Sequence, residues 1–454
     1  MDRRCRRRRI TGCAGAHGHL VHEPLRLPGP GPGLGRHQGL RARLYAVGDR
    51  LRAPDAPQII PSAGDDVSEP LKANWNYPTT IWAGPGRIAE LPAACARLGI
   101  RRPLLVTDEG LKDAPMVRAA LALVPGTGLF AGVRGNPVAA NIEQGLAAYR
   151  AGGHDGVIAV GGGSALDAGK VIAFMSGQTR PLWDFEDVDD WWTRADSRGI
   201  APVVAVPTTA GTGSEVGRAG VVINEQTHQK KIIFHPQMMP GVVISDPELT
   251  VGLPPKITAA TGIDAFVHCF EAFCAPGFHP LADGIALEGM RLIQTYLPRA
   301  CADGGDIEAR SRMLAAASMG ATAFQKGLGA VHAIAHPVGA HFNTHHGLTN
   351  AVILPYVIVH NRPAIESRLA IIARTLNLKG EPFAAVFDWV LQFRKALEIP
   401  HSLAEIGVPL SNPDIIGHEA SLDPSAGGNP LPTDAPAYAR LFRSAVKGDL
   451  RLGG

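Results

Sequence analysis

Cysteine is scarce in this 454-residue chain, and long apolar runs are missing. Six Cys without a CxxC pair argue against a disulfide framework and against a thiolate metal site. No run of 18 apolar residues predicts a membrane span, so we expect no membrane partner. With 45% apolar and 19% charged residues, the composition excludes a disordered chain. We therefore expect a cytoplasmic protein of about two domains.

The small net charge of +3 hides a basic N-terminus. Residues 1–52 hold twelve Arg against three acidic residues, so the rest of the chain carries a net negative charge. A mildly acidic body lacks the basic surface that binds nucleic acid, and we expect no nucleic-acid partner for it.

The first 72 residues show neither helical nor strand periodicity and include a Pro-Gly run at 28–33. We expect this segment to be disordered. It could be a targeting arm, a nucleic-acid-binding tail, or the product of a start assigned too far upstream. We favour the last interpretation, with a native start near Val67.

Residues 73–254 alternate short apolar runs with Ala-rich helical stretches, which predicts an α/β domain with a parallel sheet. Strands are predicted at 103–107, 156–160, 202–206 and 241–244. Polar or glycine-rich turns follow them, and open α/β sheets bind ligands at these strand ends. Residues 255–454 instead read as a mostly helical domain, with helices predicted at 257–274, 282–297, 306–325 and 364–376.

A glycine-rich turn, Gly161-Gly-Gly-Ser164, follows a predicted strand and opens a predicted helix. Such a turn can cradle a pyrophosphate, although without GxGxxG it also suits an ordinary tight turn. Asp108 ends the preceding predicted strand, where it could bind an adenosine ribose and repel a 2′-phosphate, or simply cap a helix. Thr208 and Thr209 could be hydroxyl donors to the same ligand or satisfied turn residues.

A histidine cluster marks the second domain, because five of the seventeen His fall within fifteen residues. In the preceding helix, Asp264 and His268 stand four residues apart on one face and can bind one ion together. Singly, each His is typical of a hydrogen-bonded structural residue. As a cluster beside a carboxylate in an apolar helix, they favour a metal site of nitrogen and oxygen ligands that suits Fe(II) or Zn(II).

These motifs resemble the iron-containing, or group III, alcohol dehydrogenase family from about residue 74 to the C-terminus. The resemblance implies a Rossmann-like NAD(P) domain, a helical domain, one divalent ion in the cleft between them, and a homodimer. The motifs that carry it are GGGSALDAGK (161–170), PTTAGTGSEV (207–216), GIDAFVHCFEAF (262–273), AVHAIAHPVGAHFNTHHG (330–347) and GGNP (427–430).

The resemblance also implies roles for single residues. The metal ligands would be Asp264, His268, His332 and His346, with His345 as the neighbouring candidate for the last position. His336 would be the catalytic residue, relaying a proton beside the nicotinamide. His341 replaces a usual aromatic residue, which suggests an atypical substrate. The cofactor contacts would be Asp108, Asn136, Gly162, Gly163, Ser164, Asp167, Thr208, Thr209 and Lys230.

We therefore predict a metal-dependent oxidoreductase, with Fe(II) or alternatively Zn(II), and with NAD rather than NADP. It would transfer hydride reversibly between a small alcohol and the cofactor, giving an aldehyde or ketone. Within the same family it could instead be a 4-hydroxybutyrate dehydrogenase, a semialdehyde reductase or a hydroxyacid-oxoacid transhydrogenase. The non-enzymatic alternative is a regulatory module that binds nucleotide and metal.

Overall fold

The computed structural model describes residues 79–227 and 229–451. The extension predicted at 1–72 lies outside the described residues. By their contacts, the described residues belong to one compact unit, Val67–Gly454.

A six-stranded parallel sheet forms the first half of the described chain, in the spatial order β1-β8-β5-β4-β2-β3. Helices α1 to α4 alternate with its first strands, and β6 and β7 pair separately as an antiparallel hairpin. The elements are β1 (Thr80–Ala83), α1 (Leu91–Arg97), β2 (Pro103–Asp108), α2 (Pro115–Leu123), β3 (Gly128–Val133), α3 (Ala139–Gly152), β4 (Gly156–Gly161), α4 (Gly163–Met175), β5 (Val203–Pro207), β6 (Ala219–Asn224), β7 (Gln229–Phe234) and β8 (Val242–Ser245).

The inner strands of the sheet are apolar throughout because both faces are covered. Every residue of β4 is buried, and its successive side chains alternate between two separate apolar clusters. Strands buried on both faces appear in a sequence as continuous apolar runs. The four predicted strands, β2, β4, β5 and β8, are confirmed to within one residue at each end.

The second half of the described chain is helical, and no strand follows β8 up to residue 451. Helix α5 is buried from Thr258 to Cys274 and forms its centre. It is long and apolar enough to cross a membrane, but 94% of its apolar window is buried inside the protein. The fold class, an α/β part followed by a helical part, is confirmed. The helices are α5 (Pro255–Cys274), α6 (Pro280–Ala302), α7 (Ile307–Ala323), α8 (Ala330–Phe342), α9 (His346–Thr375), α10 (Pro382–Ala396), α11 (Pro413–Leu422) and α12 (Ala435–Lys447).

Candidate active site

The glycine turn at the end of β4 leaves no room for a side chain at Gly161 or Gly163. Gly161 has φ +145°, and a Cβ on it would lie 2.7 Å from the Cβ of Ala165. A Cβ on Gly163 would lie 2.6 Å from Cγ2 of Thr212. Gly162 is the N-cap residue of α4 and Gly163 is its first residue, so the helix begins with backbone that carries no side chain. This arrangement can receive an anionic group at the helix N-terminus.

Asn136 and Ser164 lie together beside this turn. The Asn136 amide nitrogen donates to Ser164 Oγ at 3.2 Å, and Asn136 adopts φ +58°, which Asn tolerates better than most residues. Its side-chain nitrogen donates to Asn343 Oδ1 at 3.3 Å, just after α8. Asn136 therefore links the α/β half to the end of helix α8, which carries three of the five clustered His.

The position of Asp108 is compatible with both roles considered for it, a cap and a cofactor contact. Its Oδ1 accepts a hydrogen bond from the Leu111 amide at 3.0 Å, so it caps the turn after β2. Its Oδ2 would lie 3.4 Å from a Cβ on Gly161, beside the glycine turn. Burial raises the pKa of this carboxyl above its ordinary value. One oxygen is thus committed to the turn, while the other faces the predicted cofactor position.

Asp167 is held by protein groups at both oxygens. Ser214 Oγ donates to Oδ1, the Val221 amide donates to Oδ2 at 3.1 Å, and Lys170 Nζ lies 3.3 Å from Oδ1. These contacts fasten α4 to the chain around β6. Any contact of Asp167 with a cofactor would therefore be additional to a structural role.

The loop after β5 connects the glycine turn with helix α5. The Thr208 amide donates to the Gly161 carbonyl at 3.0 Å, and the Thr209 side chain would lie 3.4 Å from a Cβ on Gly162. Gly211 approaches α5 so closely that a Cβ on it would lie 2.8 Å from Cβ of Thr261. The loop therefore brings the predicted cofactor site next to the helix that carries Asp264.

The structure brings together the four side chains predicted as metal ligands. Asp264 and His268 come from α5, His332 from α8, and His346 is the first residue of α9. Ligand atoms of Asp264, His268 and His332 lie within 4.8 Å of one another. The Nε2 atoms of His332 and His346 lie 4.0 and 3.9 Å from Asp264 Oδ1. Helices α5, α8 and α9 therefore meet at one buried carboxylate.

Two of these His are neutral near pH 7, the form that binds metal ions. Burial lowers the pKa of His268 to about 4. Burial, followed by the positive charge of Lys230, lowers the pKa of His346 well below its ordinary value. Burial also acts to lower the pKa of His332, but the hydrogen bond and charge of Glu271, together with the charges of Asp264 and Asp423, outweigh it and raise that pKa.

Glu271 is a functional candidate that the sequence interpretation left without a role. Its Oε2 accepts from His332 Nδ1 at 2.6 Å, and its Oε1 accepts from the Val331 amide at 2.7 Å. The hydrogen on Nδ1 leaves Nε2 of His332 facing Asp264. A signal was available in the sequence, because Glu271 lies seven residues after Asp264 and so on the same face of α5.

His336 is paired with a carboxylate that sequence reasoning missed. Its Nδ1 lies 2.8 Å from Asp423 Oδ2, while Asp423 Oδ1 accepts from the Ser425 amide at 2.8 Å. Burial acts to raise the pKa of Asp423, but the charge and hydrogen bond of His336 lower it overall. The imidazole also stacks on His346 at 5.5 Å between ring centroids. No sequence pattern connects positions 336 and 423, which meet only through the fold.

The two remaining His of the cluster have partners outside the ligand group. His345 Nδ1 accepts from the Leu348 amide at 3.3 Å and caps α9, so the geometry favours its neighbour His346 as the ligand. His341 pairs with Glu419 of α11 at 2.8 Å.

Lys230 projects from β7 onto helix α8. Its Nζ would lie 3.1 Å from a Cβ on Gly339, so a side chain there would crowd it. Burial lowers the pKa of Lys230 to about 8, against the opposing charges of Asp264 and Asp167. Lys230 is thus a positive group within electrostatic reach of the buried acids.

Comparison with known proteins is consistent with this geometry. The sequence model of iron-containing alcohol dehydrogenases matches residues 78–247, and the C-terminal model of the Fe-containing alcohol dehydrogenase family matches residues 258–446. The chain belongs to this family. As a family member, it is 38% identical over 384 residues to the 4-hydroxybutyrate dehydrogenase of Cupriavidus necator, covering 82% of this chain and 99% of the relative.

Solved structures of the family have the same fold. A 1,3-propanediol oxidoreductase superposes with a TM-score of 0.77 at 32% identity, covering 82% of this chain and all of that one. The sulfoacetaldehyde reductase of Bifidobacterium kashiwanohense, solved with NAD⁺, gives a TM-score of 0.74 at 27% identity over 82% of this chain and 99% of its own. Family membership therefore extends through both halves of the described chain.

Proposed function

We propose that this member of the iron-containing alcohol dehydrogenase family is a metal-dependent, NAD-linked oxidoreductase that interconverts an alcohol and its aldehyde or ketone. Its relatives are dehydrogenases that act on CH–OH groups. The observation that carries the proposal is the meeting of one carboxylate and three imidazoles beside a loop that also contacts the glycine turn.

The donor group fits a divalent cation. Asp264 is 1% exposed, and among the described residues no Lys or Arg forms an ion pair with it, so a cation would supply its counter-charge. One carboxylate with three imidazoles suits Fe(II), and Zn(II) is the alternative. The bare glycine turn likewise fits the pyrophosphate of NAD, because Gly162 and Gly163 place backbone without side chains at the start of α4.

The bound cation, NAD and the side chains of the protein would each have a separate part in the reaction. A cation at this site would polarise the alcohol oxygen, and NAD would take the hydride. Asp264, His268, His332 and His346 would hold the ion, while the amides at the start of α4 would hold the pyrophosphate. His336, whose Nδ1 is committed to Asp423, would accept the alcohol proton at Nε2 and pass it to solvent.

Oligomeric state and cell compartment belong to the same proposal. The family resemblance supports a homodimer, which sedimentation of the purified full chain would test. All four described Cys are free thiols, as expected in a reducing cytoplasm.

The direct test combines metal analysis with a substrate screen. The full chain, loaded with Fe(II) or Zn(II), would be mixed with NAD or NADP and with primary and secondary alcohols, diols and 4-hydroxybutyrate. The last is included because the named activity of a 38% identical relative favours it. A parallel reaction with an oxoacid tests transhydrogenation. We expect NAD reduction that depends on added metal, whereas a loaded protein inactive on the whole panel would favour the regulatory module.

Replacing Asp108 should change the preference between NAD and NADP. Asp108→Asn keeps a side-chain oxygen for the Leu111 amide but removes the negative charge that would repel a 2′-phosphate. Lys112, Arg134 and Glu109 line a groove of about 380 Å³ beside the end of β2, and its two basic groups outnumber the one acid and would then attract that phosphate. We expect the ratio of kcat/KM for NAD to that for NADP to fall by about 10-fold or more. An unchanged ratio would mean that Asp108 acts only as a cap.

Removing the charge of Glu271 should weaken metal binding. Glu271→Gln puts an amide donor against either the His332 Nδ1 hydrogen or the Val331 amide, so the imidazole loses its fixed orientation. The partner of a ligating His typically contributes about 10 to 100-fold to metal affinity, and we expect a loss of that size in chelator competition. Glu288→Gln, which removes an exposed carboxylate paired with Arg291, is the control and should bind metal normally. Equal affinities for the two variants would exclude this role for Glu271.

A further inference from the structure

Asn350 lies inside the group of proposed ligands, although no motif singles it out. It stands four residues after His346 in α9, so the two side chains share one helix face. The residue is 0% exposed, and a fully buried carboxamide needs partners for both its nitrogen and its oxygen. Its contacts are therefore informative.

The two ends of this carboxamide are unequally satisfied. Nδ2 donates to Asp264 Oδ1 at 2.7 Å and also lies 3.1 Å from Nε2 of both His332 and His346. An amide nitrogen has two hydrogens and cannot donate fully to three acceptors. The oxygen, in contrast, has too few partners: Oδ1 is buried and has no hydrogen-bond partner among the described residues.

We propose that Asn350 is a further ligand of the metal site, with Oδ1 as its donor atom. The argument rests on the proposed function, which assigns a cation to Asp264, His268, His332 and His346. A cation bound there takes up the lone pairs that Nδ2 contacts, and its charge repels an amino group at that position. Rotation about the Cβ–Cγ bond exchanges nitrogen and oxygen without changing the shape of the side chain. The orphan oxygen then meets the cation, and the amino group turns away from it.

The exchange is chemically favourable at the oxygen. A carbonyl oxygen is an acceptable donor to Fe(II) and Zn(II), and catalytic zinc sites expand from four to five ligands. The burial of a partnerless carbonyl, which is costly in an apolar interior, is relieved when the cation is bound. The orientation of the Asn350 carboxamide would thereby differ between the metal-free and metal-bound protein, and its oxygen would add to the affinity for the metal.

Two substitutions separate an oxygen ligand from a hydrogen-bond donor to Asp264. Asn350→Leu has similar size but neither polar atom, and Asn350→Asp keeps an oxygen at each position while losing the amino group. Thr349→Val is the control on the same helical turn, because Thr349 is also fully buried and bonds to Thr344 and the His345 carbonyl rather than to a ligand. Circular dichroism and thermal unfolding establish that each full-length variant is folded.

The probe is Co(II), whose affinity is measured by chelator competition and whose visible absorption weakens as coordination rises from four to five. We expect Asn350→Leu to lose about 10 to 100-fold in Co(II) affinity and to gain a more intense, four-coordinate spectrum. Asn350→Asp and Thr349→Val should bind within a few-fold of wild type. Wild-type affinity and spectrum in Asn350→Leu, or an equal loss in Asn350→Asp, would overturn the proposal. Failure of the wild-type chain to bind Co(II) would instead refute the metal site itself.

Discussion

Replacement of His268 by Ala is expected to remove the bound metal and with it all measurable turnover. His268 is buried in α5, and its pKa of about 4 keeps the imidazole neutral and ready to bind. The helix around it is buried from Thr258 to Cys274, so the vacated position lies in a packed interior. Because even an outer partner of a ligand contributes about 10 to 100-fold, loss of the ligand itself should cost more than 100-fold in metal affinity. The same result is expected for Asp264→Ala, His332→Ala and His346→Ala.

The matched control is His345→Ala, next to a proposed ligand in the chain. Its ring caps α9 through the Leu348 amide, so we expect near-normal metal content and a small loss of helix stability, about 1 kcal/mol. Metal stoichiometry and kcat, measured together for the five variants and wild type, test the assignment. The ligand group is wrong if His345→Ala loses the ion while His346→Ala keeps it.

The parts of the fold that could be predicted are those whose burial leaves a simple periodic pattern. Strands β2, β4, β5 and β8 are the four inner strands of the sheet, and they appear as apolar runs. Strands β1 and β3 lie at the sheet edges and are half exposed, so their patterns are weaker. The sequence pattern predicts only residues 364–376 of helix α9, because Pro355 and Pro363 inside it suggest a helix end.

The site residues likewise include some that the sequence pattern predicts and some that it does not. Asp264, His268 and Glu271 share one face of one helix, a relationship that spacing alone reveals. The partner of His336 could not be found this way, because Asp423 lies 87 residues further along the chain and approaches it only through the packing of α8. Asn350 could not be predicted for a different reason. Its four-residue spacing from His346 can be seen in the sequence, but a neutral amide in an apolar helix needs no counter-charge and so gives no sign of a binding site.

His336→Ala should separate the proposed proton relay from the metal ligands. The side chain contacts Asp423 through Nδ1 and stacks on His346, but it supplies none of the atoms grouped around Asp264. We therefore expect metal content close to wild type while kcat falls by about 100-fold, the usual scale for a lost acid-base group. Metal stoichiometry and steady-state kinetics on the same preparations give both values.

A packing role would also lower kcat, so the decisive measurement is chemical rescue. Added imidazole is small enough to replace the missing ring as a base, and we expect it to restore part of the turnover of His336→Ala in a concentration-dependent way. Asp423→Asn should also lower kcat while the metal is retained, because a neutral amide does not stabilise the protonated imidazole that forms when His336 accepts a proton. Imidazole should not rescue Asp423→Asn, which keeps its own ring. If His336→Ala loses metal as the ligand variants do, then His336 supports metal binding and the proposed proton relay is wrong. If the variant keeps its metal but added imidazole does not restore turnover, then His336 has a packing role and does not relay the proton.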